Sequence, residues 1–189
     1  CEDSFIVDNN YPLVVKPRFG NTSKDVFIIN DRNELMESIK KVDRPIIQEY
    51  LNDEKGEFTC STVFLEERII CTISLRRSLK NGNTSLAFLE NYEDVDNFVN
   101  KVTEALQPFG PTNFQLRLTD KGPVIFEINP RFSGTTPIRA LFGVNEVETT
   151  IEAALFNNFN QKFIKKPGVV IRYMENEFIE WEDYNSFSQ

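Results

Sequence analysis

Histidine is absent from all 189 residues. That excludes Ser-His-Asp and Cys-His mechanisms, His-ligated zinc and an imidazole general base. Cysteine is scarce: Cys1, Cys60 and Cys71 show no CxxC spacing, and an odd, sparse set is the usage of reduced thiols in a cytosolic protein. Cys60 and Cys71 fall in neighbouring predicted strands and are expected as core filler, a disulfide between them being the lesser alternative. No apolar run approaches the ~20 residues of a membrane span. Cys1-Glu2-Asp3-Ser4 does not begin a charged-then-apolar leader, so the expected compartment is the cytoplasm and no membrane partner is expected. The net charge of −8 argues against a general nucleic-acid binder, whose phosphate contacts need a basic surface. A local basic pocket stays open.

What is present suffices for a real core. The chain is 40% hydrophobic with seventeen phenylalanines, enough for one large domain or two small ones. Leu13-Val14-Val15-Lys16 reads as a strand that Pro17 ends or bends. After the polar loop Arg18 to Lys24, Asp25 to Ile29 reads as a second strand. Asp31 with Glu34 resembles a capping box, opening a helix whose buried face is Leu35, Met36 and Ile39. Pro45 to Leu51 is a third strand, followed by the hinge-like run Asn52 to Gly56. Phe58–Leu65 and Ile69–Leu75 form a hairpin, and Asn81-Gly82-Asn83 a flexible turn. Val95, Phe98, Val99, Val102 and Leu106 recur at helical spacing. Pro137 opens a short helix, and Val147, Thr150, Ile151, Ala154 and Leu155 mark another. Val169–Tyr173 and Glu177–Ile179 read as a closing hairpin. Strands and helices mix without strict alternation, so the fold class is α+β.

The run Phe126-Glu127-Ile128-Asn129-Pro130-Arg131 carries the most chemistry. Side chains alternate along a strand, so Glu127 and Asn129 share a face, ~6–7 Å apart. Two such oxygen donors suit a hard cation like Mg²⁺, and the arginine beyond suits phosphate oxygens. The alternating strand Asn113 to Leu118 precedes it across the turn 119–123, which predicts an antiparallel hairpin. Matching the apolar faces sets Leu118 opposite Val124, Leu116 opposite Phe126 and Phe114 opposite Ile128. Gln115 then faces Glu127 and Asn113 faces Asn129, ~4.5–5.5 Å apart. An alternating hairpin with a merely wet outer face is the competing reading. Three oxygen donors, no Lys or Thr filler and a Pro-Arg ending speak against it.

Lys16 ends a buried-type strand just before a loop containing Gly20, where an ammonium can reach phosphate oxygens beside backbone N–H groups. A snorkelling lysine on a surface loop would look the same. Glu49 and Glu57 bracket the hinge. The backbone from Glu49 to Leu51 has groups free for an adenine edge.

These segments together resemble the ATP-grasp superfamily, in the branch that includes the large subunit of carbamoyl-phosphate synthase. The matching pieces, in order, are Val14 to Gly20, Ile47 to Leu51, Asn113 to Leu116 and Phe126 to Arg131. The resemblance spans most of Tyr11 to Asn157 and implies two α+β lobes that close on ATP: a smaller one over 1–52 and a larger one over 53–189. It implies that Lys16 meets phosphate and that Gln48, Glu49, Tyr50 and Leu51 form the adenine hinge. Glu57 would contact ribose. Gln115, Glu127 and Asn129 would hold Mg²⁺, with Mn²⁺ able to substitute, and Arg131 would sit near the transferred phosphoryl group.

The implied chemistry phosphorylates a small-molecule carboxylate to an acyl phosphate, which an amine or ammonia then displaces. That needs positioning and charge neutralisation rather than histidine. Arg76 and Arg77 on a strand edge, with Lys80 and the turn after it, are candidates for the acceptor carboxylate, as is Arg139; a solvated basic strand end is the bland alternative. The family also carries an N-terminal domain before this region, which the resemblance leaves outside this chain. A non-catalytic ATP-binding module is the second reading. A kinase-like phosphotransferase is the third, weakened by the lack of HRD and DFG motifs.

Overall fold

The computed structural model describes residues 11–20, 24–52, 54–173 and 178–181. The opening segment with Cys1, the middle of the loop after Gly20, Asp53 and Glu177 of the expected closing hairpin lie outside the described residues.

Three short strands, β1 (Leu13–Pro17), β2 (Phe27–Ile29) and β3 (Pro45–Glu49), form an antiparallel sheet in the order β2-β1-β3. Alternation along β1 decides its two faces. Val15 enters a small core with Ile29, Leu35 and Val42, whereas Val14 and Lys16 line a cleft. Helix α1 (Arg32–Lys41) covers that core. Its N-cap Asp31 accepts from the backbone N–H groups of Asn33 and Glu34 at 2.7 and 2.9 Å. Glu34 accepts from the N–H of Asn30 at 2.7 Å, one residue earlier than a capping box does. Met36, expected on the buried face, is exposed. Leu35 and Ile39 pack toward the sheet as expected, joined by Ser38 and Val42. β2 begins later than expected because Asp25 has φ 58, a left-handed backbone that cannot extend a ladder.

The second sheet has six antiparallel strands in the order β8-β7-β4-β5-β6-β9. They are β4 (Glu57–Leu65), β5 (Arg68–Lys80), β6 (Asn83–Leu89), β7 (Gly110–Thr119), β8 (Gly122–Asn129) and β9 (Gly168–Ile171). Asn81 and Gly82, at φ 53 and 74, close a two-residue hairpin rather than a flexible turn. Positive φ at both positions is what an Asn-Gly hairpin turn supplies. β5 thereby runs on to Lys80, and β6 forms where no strand was expected. β9 pairs with β6 as an edge strand of the large sheet; of the expected second strand of the closing hairpin, the described residues Phe178 and Ile179 are not in a strand.

Both faces of this sheet are covered, and β4, in its middle, is buried along its whole length. Helix α2 (Glu93–Leu106) packs Val95 and Val99 against Phe58, Cys60, Phe114 and Leu116. On the other face α3 (Thr136–Leu141) and α4 (Glu146–Phe156) bring Ile138, Phe142, Val144 and Ala153 onto Val63, Leu65, Ile73 and Leu75. Each buried Val, Leu, Ile or Phe among them contributes about 1.5–3 kcal/mol. α4 lies rotated from its apolar stripe. Glu146, Thr149 and Ala153 face inward, while Val147, Ile151 and Leu155 are exposed, because Glu146 is drawn to the buried Arg139. Cys60 and Cys71 are free buried thiols. Cys60 lies opposite Ser74, and Cys71 opposite Val63, so the ladder keeps them apart. Among the described residues no helix is long and apolar enough to cross a membrane.

Candidate functional site

A cleft of about 530 Å³ lies between the two sheets, a size suited to a small ligand. The small sheet contributes Val14, Lys16, Ile28, Ile46 and Gln48. Glu49 ends β3, the link to the large sheet contributes Tyr50 and Leu51, and the large sheet Glu57, Arg77, Gln115, Arg117, Phe126, Glu127 and Asn129.

The floor is set by strand register. Glu57 on β4 stands between Arg77 on β5 and Arg117 on β7. Its Oε1 accepts from Arg77 at 3.0 and 2.7 Å, and its Oε2 from Arg117 at 3.2 and 2.9 Å. The ribose contact expected of Glu57 therefore finds both oxygens taken. Arg117 also bonds the carbonyl of Leu51, tying the hinge to the floor. Sequence reading missed Arg117 although a signal existed: it stands two residues beyond Gln115, hence on the same face.

One row over, Gln115 faces Glu127 and Asn113 faces Asn129, as the apolar matching required. Phe114 lies opposite Ile128 as expected, whereas the expected pairs Leu116–Phe126 and Leu118–Val124 are corrected. A two-residue turn, Asp120-Lys121, pairs Thr119 with Gly122, Leu118 with Pro123 and Leu116 with Ile125. Phe126 is left as a bulge between Ile125 and Glu127. Were the ladder to continue from the tight turn without a bulge, Phe126 would stand opposite Gln115; the bulge restores the polar row. Phe126 therefore leaves the apolar face assigned to it and lines the cleft. The Lys16 ammonium and Arg117 guanidinium lie 5.8 and 5.7 Å from its ring centre. Its carbonyl, outside the ladder, accepts from Lys16 Nζ at 2.9 Å and Gln48 Nε2 at 3.3 Å. Burial lowers the Lys16 pKa from its ordinary value, with the Glu127 charge acting the other way.

The polar row is tightly ordered. Glu127 Oε1 accepts from Asn129 Nδ2 at 2.7 Å and from Gln115 Nε2 at 3.4 Å. Gln115 Oε1 accepts from Arg77 at 2.9 Å, and Asn129 Oδ1 from Arg131 at 3.3 Å. Glu127 Oε2 keeps no hydrogen-bond partner among the described residues. A lone anionic oxygen flanked by amides fits a hard cation. Among the described residues, no group of three or more carboxylates or thiolates is placed to hold a metal.

At the hinge the Tyr50 N–H donates to the Pro12 carbonyl at 3.3 Å, and the Leu51 carbonyl belongs to Arg117. The free backbone groups are those on the outer edge of β3, an edge strand of its sheet. Arg76 and Arg77 are not an exposed strand end. They sit well inside β5 and point to opposite faces: Arg77 into the cleft floor, Arg76 toward Glu90 at 3.4 Å and across the Phe88 ring at 4.3 Å. Arg139 is fully buried and cannot meet a substrate here. It pairs with Glu146 at 3.1 Å and donates to Asn113 Oδ1, Thr59 Oγ1 and Ser133 Oγ at 2.6, 2.9 and 3.1 Å. Its role is to pin the loop after Arg131 beneath the polar row.

The likenesses of the chain agree with this geometry. The family model described as ATP-grasp in the biosynthetic pathway with Ter operon matches residues 41–177. A D-alanine–D-alanine ligase of Fusobacterium nucleatum is 36% identical over 45 residues, 24% of this chain and 16% of that one. The fold matches N5-carboxyaminoimidazole ribonucleotide synthetase in its ADP complex at a TM-score of 0.69, with 15% identity over 88% of this chain and 47% of that one. It also matches the biotin carboxylase domain of 2-oxoglutarate carboxylase from Hydrogenobacter thermophilus, at a TM-score of 0.64 and 15% identity, over 77% and 37% of the two chains. The chain thus spans less than half the length of these proteins.

Proposed function

This chain belongs to that ATP-grasp family, and we propose that it forms the nucleotide-binding core of an ATP-dependent ligase joining a small-molecule carboxylate to an amine or ammonia. The observation that carries the reading is the meeting of Lys16 and Glu127 in one cleft, Lys16 being bonded to the carbonyl of Phe126, the residue before Glu127. Carboxylate activation by ATP needs a cation for the phosphates on one side and an anionic metal ligand on the other.

In this reading the apolar face of the small sheet, Val14, Ile28 and Ile46, takes the adenine, with Gln48 and the β3 edge reading its polar rim. Lys16 turns from the Phe126 carbonyl to the phosphates. Glu127, with Gln115 and Asn129 beside it, would hold Mg²⁺ or Mn²⁺, which when bound neutralises the phosphate oxygens. Arg131, exposed at the rim, would face the transferred phosphoryl group. A substrate carboxylate oxygen attacks the γ-phosphorus and ADP departs, giving an acyl phosphate. The amine nitrogen then attacks the acyl carbon, inorganic phosphate leaves, and the nitrogen loses a proton.

The finer placement beside the large subunit of carbamoyl-phosphate synthase is supported by the order of the four segments, from the Lys16 strand to the Asn-Pro-Arg motif. The relatives found are other ligases and carboxylases of the superfamily. Mg²⁺-ATP supplied with paired carboxylates and amines tests the reading: ADP release that requires both marks a ligase. Nucleotide binding with no acid-dependent release would mark a binding module instead.

A further inference from the structure

The amides of the polar row face the wrong way to be metal ligands. A hard cation binds an amide through oxygen, yet the oxygen of Gln115 is held by Arg77 at 2.9 Å while its nitrogen points at Glu127. Turning the amide over would set its oxygen against a carboxylate and its NH₂ against a guanidinium, losing both bonds. Each contact therefore enforces the same orientation.

Arg77 itself cannot swing aside. Its Nε and Nη2 grip Glu57 at 3.0 and 2.7 Å, Glu57 is gripped in turn by Arg117, and the Arg77 side chain is 10% exposed. A divalent cation on Gln115 Oε1 would have to displace this guanidinium and then lie beside it. Like charge at contact distance in a part-buried site is strongly disfavoured. Glu127 is the one carboxylate in the row Gln115, Glu127, Asn129, and its Oε2 is the oxygen left open.

Resting on the ligase reading above, we propose that Arg77 is a positioning residue whose fixed charge locks Gln115 onto Glu127 and stands where a second divalent cation would bind. The site then takes a single divalent cation per nucleotide, through Glu127.

The test is Mn²⁺ binding by the full chain, monitored by electron paramagnetic resonance, with saturating β,γ-methylene analogue of ATP. One nucleotide-dependent Mn²⁺ per chain with an uncoupled spectrum is expected. Gln115→Met should keep that count, and Glu127→Gln should lose it. Arg77→Met, which frees the Gln115 oxygen, should admit a second Mn²⁺ and a spin-coupled spectrum, while Arg77→Lys should not. Two coupled ions in the unaltered chain would overturn the proposal and leave the ligase reading standing, as would loss of the ion in Gln115→Met. A count that stays at one in folded Arg77→Met would remove Arg77 from the role. No nucleotide-dependent Mn²⁺ in the unaltered chain would instead sink the ligase reading itself. If Arg77→Met does not fold, the unaltered chain and Gln115→Met still decide.

Discussion

Lys16 on the small sheet donates to the main-chain carbonyl of Phe126 on the large one, 2.9 Å across the cleft. Burial makes its ammonium easier to discharge than an ordinary lysine. The native state therefore loses this proton before the unfolded chain does. Between the lowered value and 10.5 the unfolded chain binds more protons, and folding stability from this group rises with pH. Nucleotide affinity should move oppositely, falling through the same window as the charge disappears. Lys16→Met should flatten that alkaline limb and weaken ATP binding about 10–100-fold, the size of a hydrogen bond to a charged group. Isothermal titration at several pH values checks both; an unaltered alkaline limb in the variant would refute the assignment.

The bulge offers a separate handle. Deleting Phe126 leaves Gln115 opposite Glu127 and Leu116 opposite Ile125, so the hairpin should survive. It removes the shared acceptor of Lys16 and Gln48. Amide exchange in β1 and β3 should quicken while that in β4 and β7 stays as it was.

Glu127→Ala should lower acid-dependent ADP release by about 10²-fold or more, the scale of losing one electrostatic contact to the transferring group. Its side chain is half-buried at the cleft, so the melting transition should shift by no more than about 1 kcal/mol. Full activity in a folded Glu127→Ala protein would remove the metal assignment.

Arg139 and Glu146 are sealed from solvent, at 0% and 1% side-chain exposure. Arg139→Met leaves a carboxylate buried without its partner and should cost about 3–5 kcal/mol. Adding Glu146→Leu should recover part of that loss, measured by urea unfolding. A loss under about 1 kcal/mol in the single variant would contradict the burial.

Burial pushes the thiols of Cys60 and Cys71 up to about 12 from 9.0. Native thiols stay protonated where unfolded ones ionise. Their contribution to stability is complete below pH 9 and is lost as pH rises from 9 toward 12. Cys60→Ala with Cys71→Ala should shallow the alkaline decline in unfolding midpoint, and neither thiol should react with a disulfide reagent at neutral pH before unfolding.

Period and turn chemistry carried much of the fold in the sequence. Phe114, Leu116 and Leu118 alternate strictly, and that alone paired Gln115 with Glu127 and Asn113 with Asn129. Asp31 announced α1, and Pro137 announced α3. The failures share a cause. Asn81-Gly82 marks a turn but leaves the next element undefined, so β6 was not expected. Val147, Ile151 and Leu155 look like a core stripe, but α4 turned them outward to deliver Glu146 to Arg139. A local pattern shows which residues can share a face, not what that face will meet.

By itself the sequence determined most of the strands and most of the side chains that share a face, and it brought Lys16 and the Glu127 row forward as candidates for the polar chemistry. Those are properties of neighbours along the chain, set by backbone geometry over a few residues. Only the tertiary structure decided that Arg77 closes on Gln115, that Arg139 is buried and that the Phe126 carbonyl faces Lys16. Each depends on charges and a bulge brought together from distant segments, where desolvation and pairing, not periodicity, choose the partner.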